Sequence, residues 1–407
     1  MGSAERIQGL DVARSWALLL ALSAHAMVQV GMPMPSPLVG ILIRTSTPIF
    51  ILLFGAMIAL VHLPRAKRHG IWALAEKSWA RAFQCYLLFL ANVVAVWIAV
   101  PYSARYALLC ATMLGSTPYA GILQYYAIML AAMPLLVWLL RKVPLALCLA
   151  GATAVHLAFP LLKAIPSPPP VMGQPILGRL VDLTVGTGTV VEIAGPSILH
   201  GMVLVFVGVA LGRWCRQPRL SSFRSAFLPI GLLFLAMAAW SLSVRGYGPV
   251  DAQSLSGMRL RNLNHPAYAF IIGGLALILV VGSVVGTWGR RIADGWLVLG
   301  RRSLFAFGFG NVVITFWPKT VAAMLGVRLS ALLLLGVVIT LIFAYDRAVQ
   351  HGGQTDDGRL SLPGVIHAIA TGADRFTRRA AGRTVRFLKQ VPESKAPHPI
   401  PMAEELS

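Results

Sequence analysis

The sequence predicts an all-α, polytopic integral membrane protein of about ten transmembrane helices with both termini in the cytoplasm. Three observations predict it. Of the 407 residues, 57% are hydrophobic and only 12% charged, where soluble domains carry about 25% charged residues. Long apolar runs recur from residue 15 to residue 345 and the mean hydropathy is +0.74, which excludes the two or three soluble domains that length alone suggests. Basic residues also alternate between dense and sparse loops along the chain, as membrane topology requires.

The ten runs lie at 12–31, 38–62, 80–100, 121–140, 143–162, 197–212, 226–244, 266–287, 302–320 and 328–346, each about the length that crosses a bilayer core. The first is read as a retained helix, because MGSAERIQGLDVARSW lacks a basic region leading to a cleavage site. Arg6 breaks the myristoylation pattern. The second and third runs flank Arg65, Lys67, Arg68, Lys77 and Arg81; the fourth and fifth flank Arg141 and Lys142. Arg213, Arg216, Arg219 and Arg224 separate the sixth from the seventh, and Arg290, Arg291, Arg301 and Arg302 the eighth from the ninth. With Arg6 and Arg14 these make seventeen, against nine in the intervening loops: Arg44, Arg105, Lys163, Arg179, Arg245, Arg259, Arg261, Lys319 and Arg328. The larger set marks the cytoplasmic side.

Residues 1–346 thus form the membrane domain and 347–407 a basic cytoplasmic tail. Within the tail, RFTRRAAGRTVRFLKQV is partly amphipathic and suited to the inner leaflet, whereas 392–407 is Pro-rich, polar and expected to be disordered. Two outer loops are long, 163–196 and 245–265, and no internal repeat is visible.

The formal net charge of +21 is explained by topology and anionic lipid, and no nucleic-acid partner is expected. Only 14 carboxylates are present, which leaves little material for a paired-carboxylate mechanism or an acidic proton relay. Cys85, Cys110, Cys148 and Cys215 are far apart and read as packing residues, with no metal-ligand spacing among them. No glycine-rich phosphate loop exists, so an ATP-driven step is not expected.

The chemistry-bearing feature is in the first helix, LDVARSWALLLALSAH. The eleven-residue step from Arg14 to His25 returns to within roughly 20° of the same helical face, and Asp11 and Arg14 are neighbours at i, i+3. One stripe therefore carries an ion pair near the cytoplasmic end and an imidazole about 16 Å deeper. Ionisable groups at that depth are costly and mark sites or pathways, and imidazole is the side chain best suited to take a proton near neutral pH. A snorkelling Arg14 with a His25 that merely bonds a neighbouring helix is the bland alternative.

A basic residue, ten residues and then a His in the first of about ten helices resembles the acyltransferase 3 family of membrane O-acyltransferases, and more closely its branch that includes OpgC. Four further stretches are similar to that branch: TSTPIFILLFGAMIAL (45–60), RAFQCYLLFLANVV (81–94), ILQYYAIMLAAMPLLVWLLRKVPLAL (122–147) and LGRRSLFAFGFGN (299–311). Ser15 stands where relatives usually have Gly, and Phe54-Gly55 where many have Ser-Gly. The resemblance implies transfer of a succinyl or acetyl group from cytoplasmic acyl-CoA, a co-substrate, to an extracytoplasmic sugar such as a periplasmic glucan. It implies catalytic roles for His25, Arg14 and Asp11, residence in the bacterial inner membrane, and no permanently bound cofactor or metal.

Lys77 and Arg81, at i and i+4, share a face that suits the phosphates of coenzyme A. Arg301 in the LGRRSL stretch and Arg44 at the outer end of the second run are further donor candidates. His265 and Tyr125 are candidates for the acceptor side, although a helix-start His and aromatic packing account for them better. Glu192 and His200 flank an outer helix start. A homo-oligomer needs only small apolar faces, which ten spans offer. The rival readings are a transporter or flippase with a basic cytoplasmic vestibule, and an inactive relative that organises a complex through its tail.

Overall fold

The computed structural model describes residues 7–100, 102–171, 175–187, 196–216, 220–287, 292–351 and 362–390. The expectations for Arg6, Glu192, Arg219, Arg290, Arg291 and the segment 392–407 lie outside these residues. Among the described residues the secondary structure is helical throughout, and every one of the ten apolar runs is met by helix.

The chain begins with α1 (Gln8–Gln29), α2 (Pro37–Arg44), α3 (Ser46–Met57, prolonged by a π-helical turn Ile58–His62) and α4 (Leu63–Ala99). Then come α5 (Ala104–Ala111), α6 (Gly121–Ala131), α7 (Met133–Lys142), α8 (Leu145–Leu157), α9 (Phe159–Lys163) and α10 (Ile176–Thr184). Helices α11 (Ile198–Arg216), α12 (Leu220–Ser243), α13 (Ala252–Ser256) and α14 (Arg259–Asn262) precede a second π turn, Tyr268–Ile272, that opens α15 (Gly273–Gly286). The chain continues through α16 (Asp294–Arg301), α17 (Ser303–Thr315), α18 (Lys319–Leu325), α19 (Val327–His351) and α20 (Leu362–Gln390).

Among the described residues, five helical stretches are long and apolar enough to cross a membrane, and up to seven if each of two bent pairs counts as one span. The chain is a multi-pass membrane protein. The stretch Pro37–Ala99 counts once in that tally with its 63 residues. Straight, it would reach about 95 Å, three times a hydrocarbon core. It is not straight: Gly70, at φ 81° and ψ 172°, breaks it between the basic residues of 64–81. Only a residue without a β-carbon takes that conformation at little cost. The first helix is less apolar than these stretches, because Asp11, Arg14, His25 and Gln29 interrupt it.

The bends have local causes. α6 and α7 meet at 59°, where Pro134 follows the break and can supply no amide hydrogen to the preceding turn. α16 and α17 meet at 79° around Arg302, whose Nε donates to Asp346 Oδ1 of α19 at 2.6 Å. The ninth run, expected as one span at 302–320, is covered by α17, which ends at Thr315, and by the start of α18.

Packing centres on α1, which lies against α3, α15, α16, α17 and α19. Small residues set the closest approaches. A β-carbon on Gly300 would overlap the Asp11 carbonyl, and one on Gly55 or Gly208 would overlap the backbone of the partner helix where α3 meets α11. The tail helix α20 docks on α4 and α19, burying Thr377, Ala381 and Val385. α19 itself runs through the position 346/347 at which the tail was expected to begin.

Candidate active site

The first-helix stripe is intact, since α1 is unbroken from Gln8 to Gln29. At its lower end Arg14 Nη1 lies 3.0 Å from Asp11 Oδ1, with the carboxylate buried. Ser15 Oγ donates to the Trp296 carbonyl at 2.7 Å. The residue that departs from the family pattern thus ties α1 to α16, beside the Gly300 contact.

His25 is half-buried, 11 residues along the stripe. Its Nδ1 lies 2.8 Å from Asn311 Oδ1 of α17. The orientation of that amide follows from its other end: Asn311 Nδ2 donates to the Tyr119 carbonyl at 2.9 Å, and a carbonyl can only accept. Asn311 Oδ1 therefore accepts from His25, Nδ1 carries the imidazole hydrogen, and Nε2 keeps its lone pair. This is the arrangement a base or a nucleophile needs. Tyr119 continues the network, its hydroxyl donating to Gln29 Oε1 at 3.2 Å, while Gln29 Nε2 reaches the Thr315 and Trp317 carbonyls at 3.3 and 3.4 Å. The His25 ring is sandwiched by Tyr119 and Phe307, with centroids 4.7 and 5.7 Å away. Tyr119 holds φ +68°, a left-handed conformation rare for an aromatic residue. Such strain, about 1–3 kcal/mol, gathers where surroundings over-determine a functional geometry.

Asn311, Tyr119 and Gln29 were not singled out from sequence. Asn311 carried a readable signal, since it is an amide inside an apolar helix within the LGRRSL stretch. Tyr119 carried none, because its role rests on a loop conformation.

The other candidates fall into three groups. Lys77 and Arg81 are exposed on α4, where Arg81 donates to Gln84 Oε1 at 2.8 Å. Gln84 in turn donates to Asp374 and Thr377 of α20 at 2.9 and 3.3 Å, so the tail helix borders this basic face. A groove of about 310 Å³ lined by Ile71, Trp138, Arg141 and Lys142 lies on the same α4–α7 side. Arg301 is exposed and only 4.0 Å from Asp294, whereas its neighbour Arg302 holds the tighter pair with buried Asp346.

Arg44 is in the second group, bonded to the Ser256 carbonyl at 2.8 Å and away from Lys77 and Arg81. Tyr125 is buried with its hydroxyl against Gly201 of α11, a packing position, while its neighbour Tyr126 donates to the Phe50 carbonyl at 2.6 Å.

His265 belongs to a third cluster. It is buried, its Nδ1 accepts from the Ala267 amide at 3.2 Å, and it shares a small cavity with His156 and His200. Burial, then the nearby Lys163 charge, pull its imidazole down to about 4. Burial likewise lowers the Lys163 ammonium to about 8, against the pull of Asp182. Among the described residues no group of three or more His, Cys, Asp or Glu is arranged to hold a metal ion.

Comparison with known families adds to this geometry. Residues 6–114 match the family model of the OpgC protein. The OpgC match takes in Asp11, Arg14, His25, Arg44, Lys77 and Arg81, and bears out the resemblance to OpgC read from the first three apolar runs. No curated protein matches the chain. Asn311 and Arg301 lie beyond the OpgC-like stretch, and their link to it is spatial, through α1.

Proposed function

We propose that the chain is a membrane O-acyltransferase, moving a succinyl or acetyl group from cytoplasmic acyl-CoA to hydroxyls of an extracytoplasmic glycan, with periplasmic glucan the leading acceptor. The observation that carries this reading is the free Nε2 of His25, held by Asn311 on the central helix of a stretch that matches OpgC. In this reading the chain crosses the bacterial inner membrane ten times with both termini cytoplasmic. The ten helical runs and the seventeen-to-nine basic bias support that topology.

The donor approaches from the cytoplasmic face. Lys77 and Arg81 meet its phosphates, and the groove at Trp138, Arg141 and Lys142 adds two cations and an aromatic face on the same side. Arg14, aligned by Asp11 about three turns before His25 on the same helix, meets the donor as it enters, ahead of the imidazole that handles the proton. His25 Nε2 takes the proton of the acceptor hydroxyl as its oxygen attacks the thioester carbon. The tetrahedral adduct then breaks its C–S bond, and the departing thiolate takes the proton from the imidazolium, leaving an ester and free coenzyme A. A relay in which Nε2 first accepts the acyl group uses the same atom and the same Asn311 restraint. Neither route calls for a metal or a permanently bound cofactor.

A transporter or flippase for a glycan, lipid or acyl donor is the second reading. Two bent helix pairs favour it, since broken helices line many transport sites. The readings separate on donor consumption. Purified protein in nanodiscs is given acetyl-CoA or succinyl-CoA with an envelope glycan extract, and free thiol is followed. Acyl transfer gives thiol release that falls about 10²–10⁴-fold in His25→Ala and clearly in Arg14→Ala. Release that persists in His25→Ala, or none with either donor, rejects it.

A further inference from the structure

On the side of His25 away from Arg14 stand two guanidiniums that no carboxylate among the described residues pairs. Ile43, next to Arg44, packs with Ala24 and Met27, which flank His25 on α1. Arg44 Nε donates to the Ser256 carbonyl at 2.8 Å and its Nη1 meets Met258 Sδ at 2.6 Å, so its head is pinned to the turn that leads into Arg261. Tyr268 joins the two: its hydroxyl donates to the Arg44 carbonyl at 3.4 Å, and its ring shares an apolar cluster with Leu260, beside Arg261.

Arg44 and Arg261 therefore flank Tyr268, on the Ala24–Met27 side of α1. Among the described residues, ion pairs hold Arg14, Arg301, Arg302 and Arg378, but no carboxylate stands within ion-pair distance of Arg44 or Arg261. Burial lowers Arg261 from the ordinary guanidinium range. Two like charges held together with little water repel, and an anion placed between them removes the cost.

We propose that Arg44 and Arg261 bind an anionic group of the substrate and present it to His25, so that they set specificity rather than perform the transfer. The anion is a carboxylate at the far end of the acyl chain or a charge on the glycan acceptor. This inference rests on reading His25 as the transfer site.

The test uses full-length protein in nanodiscs as wild type, Arg44→Gln, Arg261→Gln and Arg44→Lys. kcat/KM is measured for succinyl-CoA and acetyl-CoA with a neutral glucan oligosaccharide and with the same oligosaccharide carrying phosphoglycerol. An acyl carboxylate in the site makes the succinyl-to-acetyl ratio fall about tenfold or more in both Gln variants, the loss of one charge-assisted bond, with partial recovery in Arg44→Lys. An acceptor charge in the site leaves that ratio alone and lowers the anionic-to-neutral acceptor ratio instead. Ratios are immune to the share of protein that misfolds, and unchanged ratios overturn the proposal. A separate binding readout is the unfolding midpoint with succinate or glycerol phosphate against neutral succinamide. If wild type turns over no donor, acyl transfer fails. The anion site then stands if either anion raises the midpoint in wild type but not in Arg44→Gln, and falls if neither does.

Discussion

At the scale of single residues, the proposed mechanism rests on which nitrogen of His25 is free. Asn311 decides it, because its amide is oriented by a carbonyl that can only accept. Asn311→Ala leaves the imidazole free to rotate and to adopt the other tautomer. Its expected outcome is a fall in kcat of about tenfold to 10²-fold, the range seen when a positioned base loses its restraint, with KM for the donor little changed. Steady-state kinetics check this, and a raised KM at full kcat contradicts it. His25 itself was legible in the sequence, since an ionisable side chain deep in an apolar run is expensive. Arg14 followed from periodicity. Asn311 obeys the same logic as His25, but its partner depends on where α17 crosses α1, which no local pattern encodes. Tyr119 comes from a turn and Arg261 from the four-residue helix α14, whose backbone paths are fixed by tertiary contacts.

At the scale of elements, close approach and breaks shape the bundle. Gly55 and Gly208 let α3 and α11 touch backbone to backbone. Gly208→Leu forces these helices apart and is expected to cost about 1–3 kcal/mol, seen as a lower unfolding midpoint in detergent; an unchanged midpoint contradicts that packing. Element existence was readable from apolar runs alone, but the bends were not. Pro134 announced one of them, while the turn around Arg302 depends on a charge pair with Asp346, 44 residues away.

The outer loops contribute a pH response of definite sign. Folded His265 is held near 4, below its ordinary 6.5, so the unfolded chain binds more protons between those values. The stability it contributes is complete above pH 6.5 and is lost as pH falls toward 4. The unfolding midpoint should therefore drop between pH 7 and 4.5, with a shallower drop in His265→Gln. A midpoint that rises on acidification contradicts the assignment.

At the scale of the whole molecule, the basic bias, the central position of α1 and the separation of two cationic groups combine into one account. Lys77 and Arg81 lie on α4 beside the tail helix, Arg44 and Arg261 lie past His25, and the imidazole stands between. Composition alone announced a membrane protein, and charge alternation is the basis of the proposed orientation. The docking of α20 onto α4 was not legible, because an amphipathic basic helix suits a lipid surface as well as a protein one. The central claim is acyl transfer across the bilayer through His25. It is tested most directly in proteoliposomes of known orientation, with acyl-CoA on the cytoplasmic face, glucan on the other, and mass spectrometry of the glucan. The account predicts acylated glucan when the donor is on the cytoplasmic face, and none in His25→Ala. Glucan or donor that crosses unmodified, or acylation that survives in His25→Ala, contradicts it.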